Sequence, residues 1–510
     1  MKLHQRLLIA LLAILPGIQN AAIIYVTEAG GGSLNGTSWI NSYPGTSLQL
    51  AINSANPGDE IWVEEGTYFT TSGPDRTIAF SMKNGVSIYG SFLGTENLLS
   101  ERIIYCGPKS ILSGFIGTAS NTDNSYKVIR NLGLNNTAVL DGFVVTGGYD
   151  ERPATSVVGL GGGILNVGSG AGNFCSPTIR NCVITRNQSE FGAGIFNDGY
   201  NGGAASPTIE NCLIVDNHAT GGGGGIDNFG LLNGNASPII WNTVIANNTA
   251  DNAAGGMYCW GGNNGNASPT LINCVVANNT VTSGNGGGIV ADRSNSGGGG
   301  GGASGTADPT FRNSIIRGNT ANTSPQFHLY GGSSFIVNYC NIDTNLQIAP
   351  HTILPGIANQ FNSLAFLQPS THKGQDSCWM TDDDGYHIQM GSSHENTGDS
   401  TLVTLFDLAF HDRVAETNVD LGAYENQPMT FNIQQEEFPI LHLYPNPVTS
   451  LVTINSSASV KGLLLNSIGE EVNQINLIKG ENIIDLSELS SGIYILVIPQ
   501  NSTTRRIIKL

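Results

Sequence analysis

Charge is scarce in this chain. Asp, Glu, Lys and Arg supply 12% of its 510 residues, about half the share of an ordinary globular protein. Positive charge is scarcer still: 21 Lys and Arg stand against 39 Asp and Glu, a formal net charge of −18. Nucleic acid or an anionic membrane as main partner is thereby disfavoured, since either demands a basic face to displace counterions; solubility is the plainer role of such a charge. From Val128 to His372 there is not one lysine. After the N-terminus no stretch holds the roughly 18 uninterrupted apolar residues of a spanning helix. No CxxC occurs and the 9 histidines are scattered, which leaves a zinc site little support. No GxxxxGK[ST] accompanies the glycines, so they form no phosphate loop. Disorder is excluded as well, because the 40% of residues that are hydrophobic recur in register.

That register comes from one phrase used five times. "SPTIRNCVITRN" begins at Ser176, "SPTIENCLIVDN" at Ser206, "SPIIWNTVIANN" at Ser237, "SPTLINCVVANN" at Ser268 and "DPTFRNSIIRGN" at Asp308, at intervals of 30, 31, 31 and 40 residues. The unit is rich in Gly, Asn, Thr, Val and Ile and poor in Ala, Leu, Glu and Lys, which favours strands over a helical repeat. Leucine-rich repeats are shorter and propeller blades longer, so about 31 residues suits one turn of a parallel β-solenoid with three short strands. "PTIENC", "LIVDN" and "GGGIDNFG" read as those strands or their edges.

Turns stacked about 4.8 Å apart place equivalent residues in columns. Ile179, Ile209, Ile240, Leu271 and Phe311 form one column and Ile184, Ile214, Ile245, Val276 and Ile316 another; both are expected in the core. Asn181, Asn211, Asn242, Asn273 and Asn313 mark one bend, and Asn187, Asn217, Asn248, Asn279 and Asn319 a second. Asparagine tolerates left-handed backbone and can stack into an amide ladder, so these residues are expected to be structural. The clusters "GAGI", "GGGGGI", "AAGGM" and "GNGGGI" precede the third strand, where positive φ or close backbone approach requires glycine. Ser294–Ala307, "SNSGGGGGGASGTA", accounts for the long interval as an expanded, mobile loop.

The opening "MKLHQRLLIALLAILPGIQNAA" has Lys2 and Arg6 before an apolar run from Leu7 to Leu15, and then small residues; residues 1–22 read as a secretory signal peptide. The 8 cysteines do not pair by spacing. Cys182, Cys212 and Cys274 share one repeat position with Thr243 and Ser314, so filling a column is expected of them, with bridging as the alternative.

Around the repeats stand further phrases: "IYVTEAGGGSLNGTSWINSYPGTSLQLAINSANPGDEIWVEEGTY" near the start, "LDGFVVTGG" at Leu140, "DGYHIQMGSS" at Asp384 and "VDLGAYENQ" at Val419. With them, residues 23–427 resemble the exported right-handed parallel β-helix proteins that carry a choice-of-anchor Q region, with the repeats at 137–342. The resemblance implies an N-terminal cap, with a helix in Ser47–Ala55 and Glu60–Val63 as the first covering strand, and a final coil that includes "DGYHIQMGSS". "GSSHENTGD" departs from the group's usual Ser-Pro-Ala-Ile-Asp stretch. A shift in composition marks 428–440 as a linker. Residues 441–510 alternate short strands and turns, and resemble the type IX secretion sorting domain of Bacteroidetes-type bacteria, a small β-sandwich. The matching features are Tyr444-Pro445-Asn446-Pro447, Gly492-Ile493-Tyr494 and the basic Arg505, Arg506 and Lys509. The resemblance implies export across the outer membrane through the type IX machinery, to the surface or the medium. The expected fold class is therefore all-β: a three-sheet right-handed parallel β-helix followed by a small sandwich.

Catalysis finds weaker support in the sequence than binding. β-Elimination of a uronate needs a base and cationic groups; without lysines, the repeats offer only Arg130, Arg152, Arg180, Arg186, Arg293, Arg312 and Arg317. Hydrolysis needs two carboxylates about 5 to 10 Å apart. Asp198 and Asp292 align about 14 Å apart over three turns, and Asp216 falls in a bend with Arg186, Asn247 and Asn278, so no pair emerges. No cofactor is expected beyond calcium at "TDDDGYH", Thr381–His387, whose spacing is not that of an EF-hand loop. For binding, an outward column reads Arg180, Glu210, Trp241, Ile272 and Arg312, and Asp227, Phe229, Tyr258 and Trp260 lie by the glycine strand. Flat aromatic faces flanked by polar groups suit sugar rings. The expectation is a secreted or surface β-helix protein that binds polysaccharide, with a polysaccharide lyase or glycoside hydrolase as the alternative; ordinary cross-strand pairing, as of Arg180 with Glu210, accounts for the same residues without any ligand.

Overall fold

The computed structural model describes residues 21–104, 106–117, 120–152, 159–295, 304–343, 353–369, 373–427, 441–456, 459–466, 470–498 and 503–510. The signal peptide expected at 1–22 lies, apart from Ala21 and Ala22, outside the described residues, as do the linker at 428–440 and 296–303 of the expanded loop. The chain divides into two compact units, Met1–Pro428 and Met429–Leu510.

The first unit is a parallel β-helix. One turn runs through the strands Thr208–Glu210, Leu213–Val215, His218–Gly222 and Ile226–Phe229, and successive turns stack these into parallel sheets of twelve, nine, five and seven strands. Three of the four sheets match the expected strands. The five-stranded one, from Tyr149–Asp150 to Thr280–Val281, is additional; its strands are 2 to 5 residues long and two of them end at glycine-rich sequence, too short to show an alternation.

Inside, the two aliphatic columns are fully buried, each side chain contributing about 1.5–3 kcal/mol. The two asparagine columns differ in backbone, although amides of the first also meet from turn to turn, as Asn242 Nδ2 does Asn211 Oδ1 at 3.1 Å. Asn181, Asn211, Asn242, Asn273 and Asn313 take φ of 53, 51, 42, 53 and 51° and turn the chain between the first and second sheets. At the second bend positive φ falls one residue earlier, on Arg186, Asp216, Asn247 and Asn278. The asparagines that follow form a buried ladder, Asn187 Nδ2 to Asn217 Oδ1 at 3.0 Å, Asn217 to Asn248 at 3.0 Å and Asn248 to Asn279 at 3.0 Å. Cys182, Cys212 and Cys274 are buried and free.

The N-terminal cap departs in detail from expectation. The helix is Leu48–Ser54 and buries Leu48, Ala51 and Ile52, the i, i+3, i+4 face expected of a helix over a core. The strand Glu60–Glu64 is not the first; Ile23–Thr27 pairs beside it, and Tyr43–Pro44 forms the edge. A two-residue edge strand leaves little backbone open to further pairing.

"DGYHIQMGSS" does not form the final coil. The chain after Pro355 turns back, and Met380, Tyr386, Ile388, Leu408, Leu421 and Tyr424 cover Leu213, Val244, Val275 and Ile315 on the outside of the second sheet. The strands of that sheet are buried on both faces, as in Leu213–Val215 and Val244–Ala246, and so read as continuous apolar runs. Fastenings hold this strap. Cys106 and Cys378, 272 residues apart, form a disulfide, a pairing that spacing could not reveal. Asp399 N–H donates to Asn313 Oδ1 at 2.8 Å and Tyr386 Oη to Asn247 Oδ1 at 3.1 Å. Arg413, fully buried, donates to the carbonyls of Asp420 and Gly422 and lies 3.9 Å from Glu425.

The second unit has two antiparallel sheets, one of three strands and one of four, around a core that includes Val452, Ile454, Leu464, Leu496 and Ile507.

Candidate functional site

Alternation along the third sheet points Ile226 and Asn228 inward and Asp227 and Phe229 outward. Register then builds two outward columns: Leu165, Phe196, Asp227, Tyr258, Val290 and His328 in one, and Val167, Asp198, Phe229, Trp260, Asp292 and Tyr330 in the other. The tight turns that enter these strands need positive φ. Gly161, Gly192, Gly223 and Gly286 supply it at 62, 59, 67 and 69°, and a Cβ on Gly223 would stand 2.9 Å from the Cβ of Asp227.

Aromatic rings line this face. Phe229 stacks on Tyr200 at 5.4 Å and meets Trp260 edge-on at 5.4 Å, while Tyr258 meets Trp260 at 6.2 Å. Tyr200 keeps 36% of its surface exposed, and Phe229, Tyr258 and Trp260 are half-buried. Trp260 Nε1 donates to Ser294 O at 3.1 Å, which fixes the indole.

Three carboxylates lie among the rings. Asp292 accepts from Tyr258 Oη at 3.0 Å and from Ser294 N–H at 2.7 Å. Asp198 Oδ1 accepts from Tyr200 N–H at 3.2 Å, and burial raises its pKa. Asp227 is 2% exposed, and among the described residues its Oδ1 has no hydrogen-bond partner. Burial alone pushes the Asp227 carboxyl well above the usual range, which favours its neutral form.

The outward column of the first sheet has the expected register but is largely occupied. Arg180 Nε is 2.6 Å from Asp141, which also binds Arg102 at 2.9 Å. Arg312 is paired with Asp399 of the strap, and Ile272 is 2% exposed. Glu210 and Trp241 are half-buried, and Glu210 has its pKa raised by burial. The structure thus brings Asp227, Phe229, Tyr258 and Trp260 together and places Arg180, Glu210, Trp241 and Arg312 on another face.

In Thr381–His387, Asp384 accepts from Met380 N–H at 2.8 Å and Tyr424 Oη at 2.6 Å, and Asp383 from Asp376 N–H at 3.1 Å. Among the described residues no group of three or more His, Cys, Asp or Glu is placed to hold a metal.

In the second unit, Asn446 donates to Arg506 O at 2.8 Å and accepts from Ile508 N–H at 2.8 Å, so the Tyr444-Pro445-Asn446-Pro447 turn is tied to the last strand. Gly492 pairs with Lys509. Tyr494 is 6% exposed and donates to Ser490 O at 2.9 Å.

These features define an exported parallel β-helix protein that carries its own sorting module. Residues 442–510 match the family described as secretion system C-terminal sorting domain, and residues 29–261 match a family described as protein of unknown function, DUF1565. The protein is exported by type IX secretion to the cell surface or the extracellular space, and among the described residues no helix is long and apolar enough to cross a membrane. No curated protein sequence matches the chain. Among solved structures it is similar to pectate lyase Pel9A, at 14% identity and TM-score 0.44 over 81% of this chain and 98% of that one. It is also similar to a variant of the PL6 family alginate lyase AlyGC, at 11% identity and TM-score 0.20 over 75% and 60%.

Sequence reading missed Tyr200, Phe196, His328 and Tyr330 as part of the same face. Phe196 and His328 could have been found by carrying the repeat alignment through the third strand. Tyr200 lies in a loop that recurs in outline, but its own position varies, with Leu231 and Gly262 at the equivalent places.

Proposed function

We propose that the protein, once exported, binds extracellular polysaccharide along the outer face of the third sheet. The observation that carries this reading is the set of adjoining rings, exposed Tyr200 and half-buried Phe229, Tyr258 and Trp260. An apolar ring face beside fixed carboxylates is what a sugar, apolar on its C–H face and polar at its rim, requires. The ring ladder runs along the stacking axis, so it suits a chain more than a single sugar. The choice-of-anchor Q resemblance agrees with display outside the cell, and Arg180, Glu210, Trp241 and Arg312 would then be scaffold and strap contacts.

The test is affinity electrophoresis of the purified protein through gels containing xylan, laminarin, mannan, alginate or polygalacturonan. At least one polysaccharide is expected to retard wild type, and Trp260→Ala with Tyr200→Ala to weaken that binding about tenfold or more, as loss of about 1.4 kcal/mol of contact would. Unchanged retardation in the double variant would place the site elsewhere.

A further inference from the structure

Arg180, Glu210 and Trp241 stand side by side on three neighbouring strands of the first sheet, in its outward column. The cross-strand pair that would use up Arg180 and Glu210 is not made. Arg180 turns to its other neighbour and gives Nε to Asp141 at 2.6 Å. Among the described residues, no hydrogen bond or ion pair holds its two terminal nitrogens, the Glu210 carboxylate or the Trp241 indole N–H. The scaffold thus spends one of these polar groups and leaves the others open. Solvent reaches them: the Arg180 side chain keeps 36% of its surface, Glu210 and Trp241 are half-buried, and Ile239, on the same face two residues before Trp241, is 45% exposed.

The open stretch is short. On one side the column passes to Asp141 and Tyr89, 2% and 7% exposed. On the other it passes to buried Ile272 and then to Arg312, which the strap takes through Asp399. Three strands remain, two spacings or about 10 Å along the axis. The strap borders them, because Asn242 Nδ2 donates to Phe406 O at 2.6 Å and so holds Phe406, 47% exposed, next to the strand of Trp241.

The chemistry left open has a definite complement. Partly withdrawn from water and unpaired, the Glu210 carboxylate is a cost to the fold that a ligand hydroxyl would offset. Its charge adjoins the opposite charge of Arg180, so the platform as a whole favours neither an anion nor a cation. It offers acceptors at Glu210, donors at Arg180 and Trp241, and one flat ring. A sugar has the matching parts: a rim of hydroxyls that both donate and accept, and a C–H face that lies on an aromatic ring. We propose that Arg180, Glu210 and Trp241 form a saccharide site separate from the third-sheet face, for one or two neutral sugar units at the end of a glycan or in a short oligosaccharide. Trp241 carries the ring, Glu210 accepts from its hydroxyls and Arg180 donates to its oxygens. The site stands on a different sheet and does not rest on the polysaccharide reading above.

The test is isothermal titration of the full-length protein with laminaritriose, xylotriose, mannotriose, cellotriose and chitotriose, and with trigalacturonate as an acidic counterpart. Wild type is expected to bind at least one neutral trisaccharide with a Kd of about 10 mM or below. Trp241→Ala and Glu210→Gln are each expected to weaken that binding about tenfold or more. Because no hydrogen bond of the described residues uses the Glu210 carboxylate, Glu210→Gln should keep the thermal midpoint of wild type, so that a lost site is told from a lost fold. Trp260→Ala with Tyr200→Ala is expected to leave trisaccharide binding unchanged. Four results would each overturn the proposal: no neutral trisaccharide bound by wild type, binding undiminished in Trp241→Ala or in Glu210→Gln, binding lost in the third-sheet double variant, and trigalacturonate bound more tightly than every neutral sugar.

Discussion

Asn242 and Asn248 look interchangeable in the sequence, each recurring at its own fixed place in the repeat, yet they stabilise the turn by different means. Asn242 sets the backbone of its bend, at φ 42°, a region that costs most residues about 1–2 kcal/mol, and its Nδ2 also donates to Asn211 Oδ1 at 3.1 Å and to Phe406 O of the strap at 2.6 Å. Asn248 is there for its amide: Nδ2 donates to Ile214 O at 2.8 Å and Asn279 Oδ1 at 3.0 Å, while Oδ1 accepts from Asn217 N–H at 3.1 Å. Asn248→Ala therefore leaves several enclosed partners unsatisfied, at about 1–3 kcal/mol each. We expect it to lower stability by about 3 kcal/mol or more in urea unfolding, and Asn211→Ala, at a positive-φ bend, by about 1–2 kcal/mol. Equal losses would contradict this division. Sequence reading could see that both columns were structural, because no catalytic role repeats at every turn. It could not see which bend residue carries positive φ, because that depends on where the ladder of the next sheet begins.

The strap is the element that sequence reading missed, and the reason is physical. Its residues do not repeat, its partners are distant in sequence, and its apolar positions, such as Leu408, Leu421 and Tyr424, are too sparse to signal a buried segment. The complementary signal was present in the second sheet, where Val215, Ala246 and Ala277 are apolar at positions that a solvated face would make polar. Around Arg413 the strap also buries carboxyls. Burial raises Asp384 to about 7, Asp420 to about 6 and Glu425 to about 8, and Asp407 moves up for the same reason. A carboxyl with raised pKa contributes stability that is fully present below its unfolded value, near 4, and is lost as pH rises through the folded value. Across about pH 5 to 8, then, strap attachment should weaken as pH rises, the reverse of ordinary acid denaturation. Buried His387, held down to about 3, stays neutral in the fold but takes up a proton below about 6.5 when unfolded, so it opposes this trend below about pH 6.5, one group against four carboxyls. Limited proteolysis with mass spectrometry should find faster cutting within residues 391–426 at about pH 8 than at about pH 5.5, once corrected for the protease's own pH dependence on a denatured substrate. Equal or slower cutting at the higher pH would refute the burial reading.

For the molecule entire, legibility follows repetition. The solenoid could be read because Ile179, Ile209 and Ile240 announce a buried column by recurring, and the sorting module because its motif residues sit where the last strand needs them. The ring-lined face of the third sheet was only partly legible, since Tyr200 lies outside the strands and only the folded chain sets it against Phe229 and Trp260. The two units have separate cores: that of the second is confined to residues between Leu443 and Ile507, and the solenoid core ends at Ile342. Export and folding should therefore come apart. Deletion of residues 429–510 removes no residue of the solenoid core, so the remaining chain should keep a β-rich circular dichroism spectrum and a cooperative thermal transition. It should nevertheless accumulate inside the outer membrane, because the module that the type IX machinery recognises is gone. Tyr494→Ala, which removes a buried ring and its bond to Ser490, should have the same effect by unfolding that module alone. Cell fractionation with surface protease accessibility measures both. A truncated chain that still reaches the surface or the medium would show that the export signal lies within the solenoid, and an unfolded truncated chain would show that the two cores depend on one another.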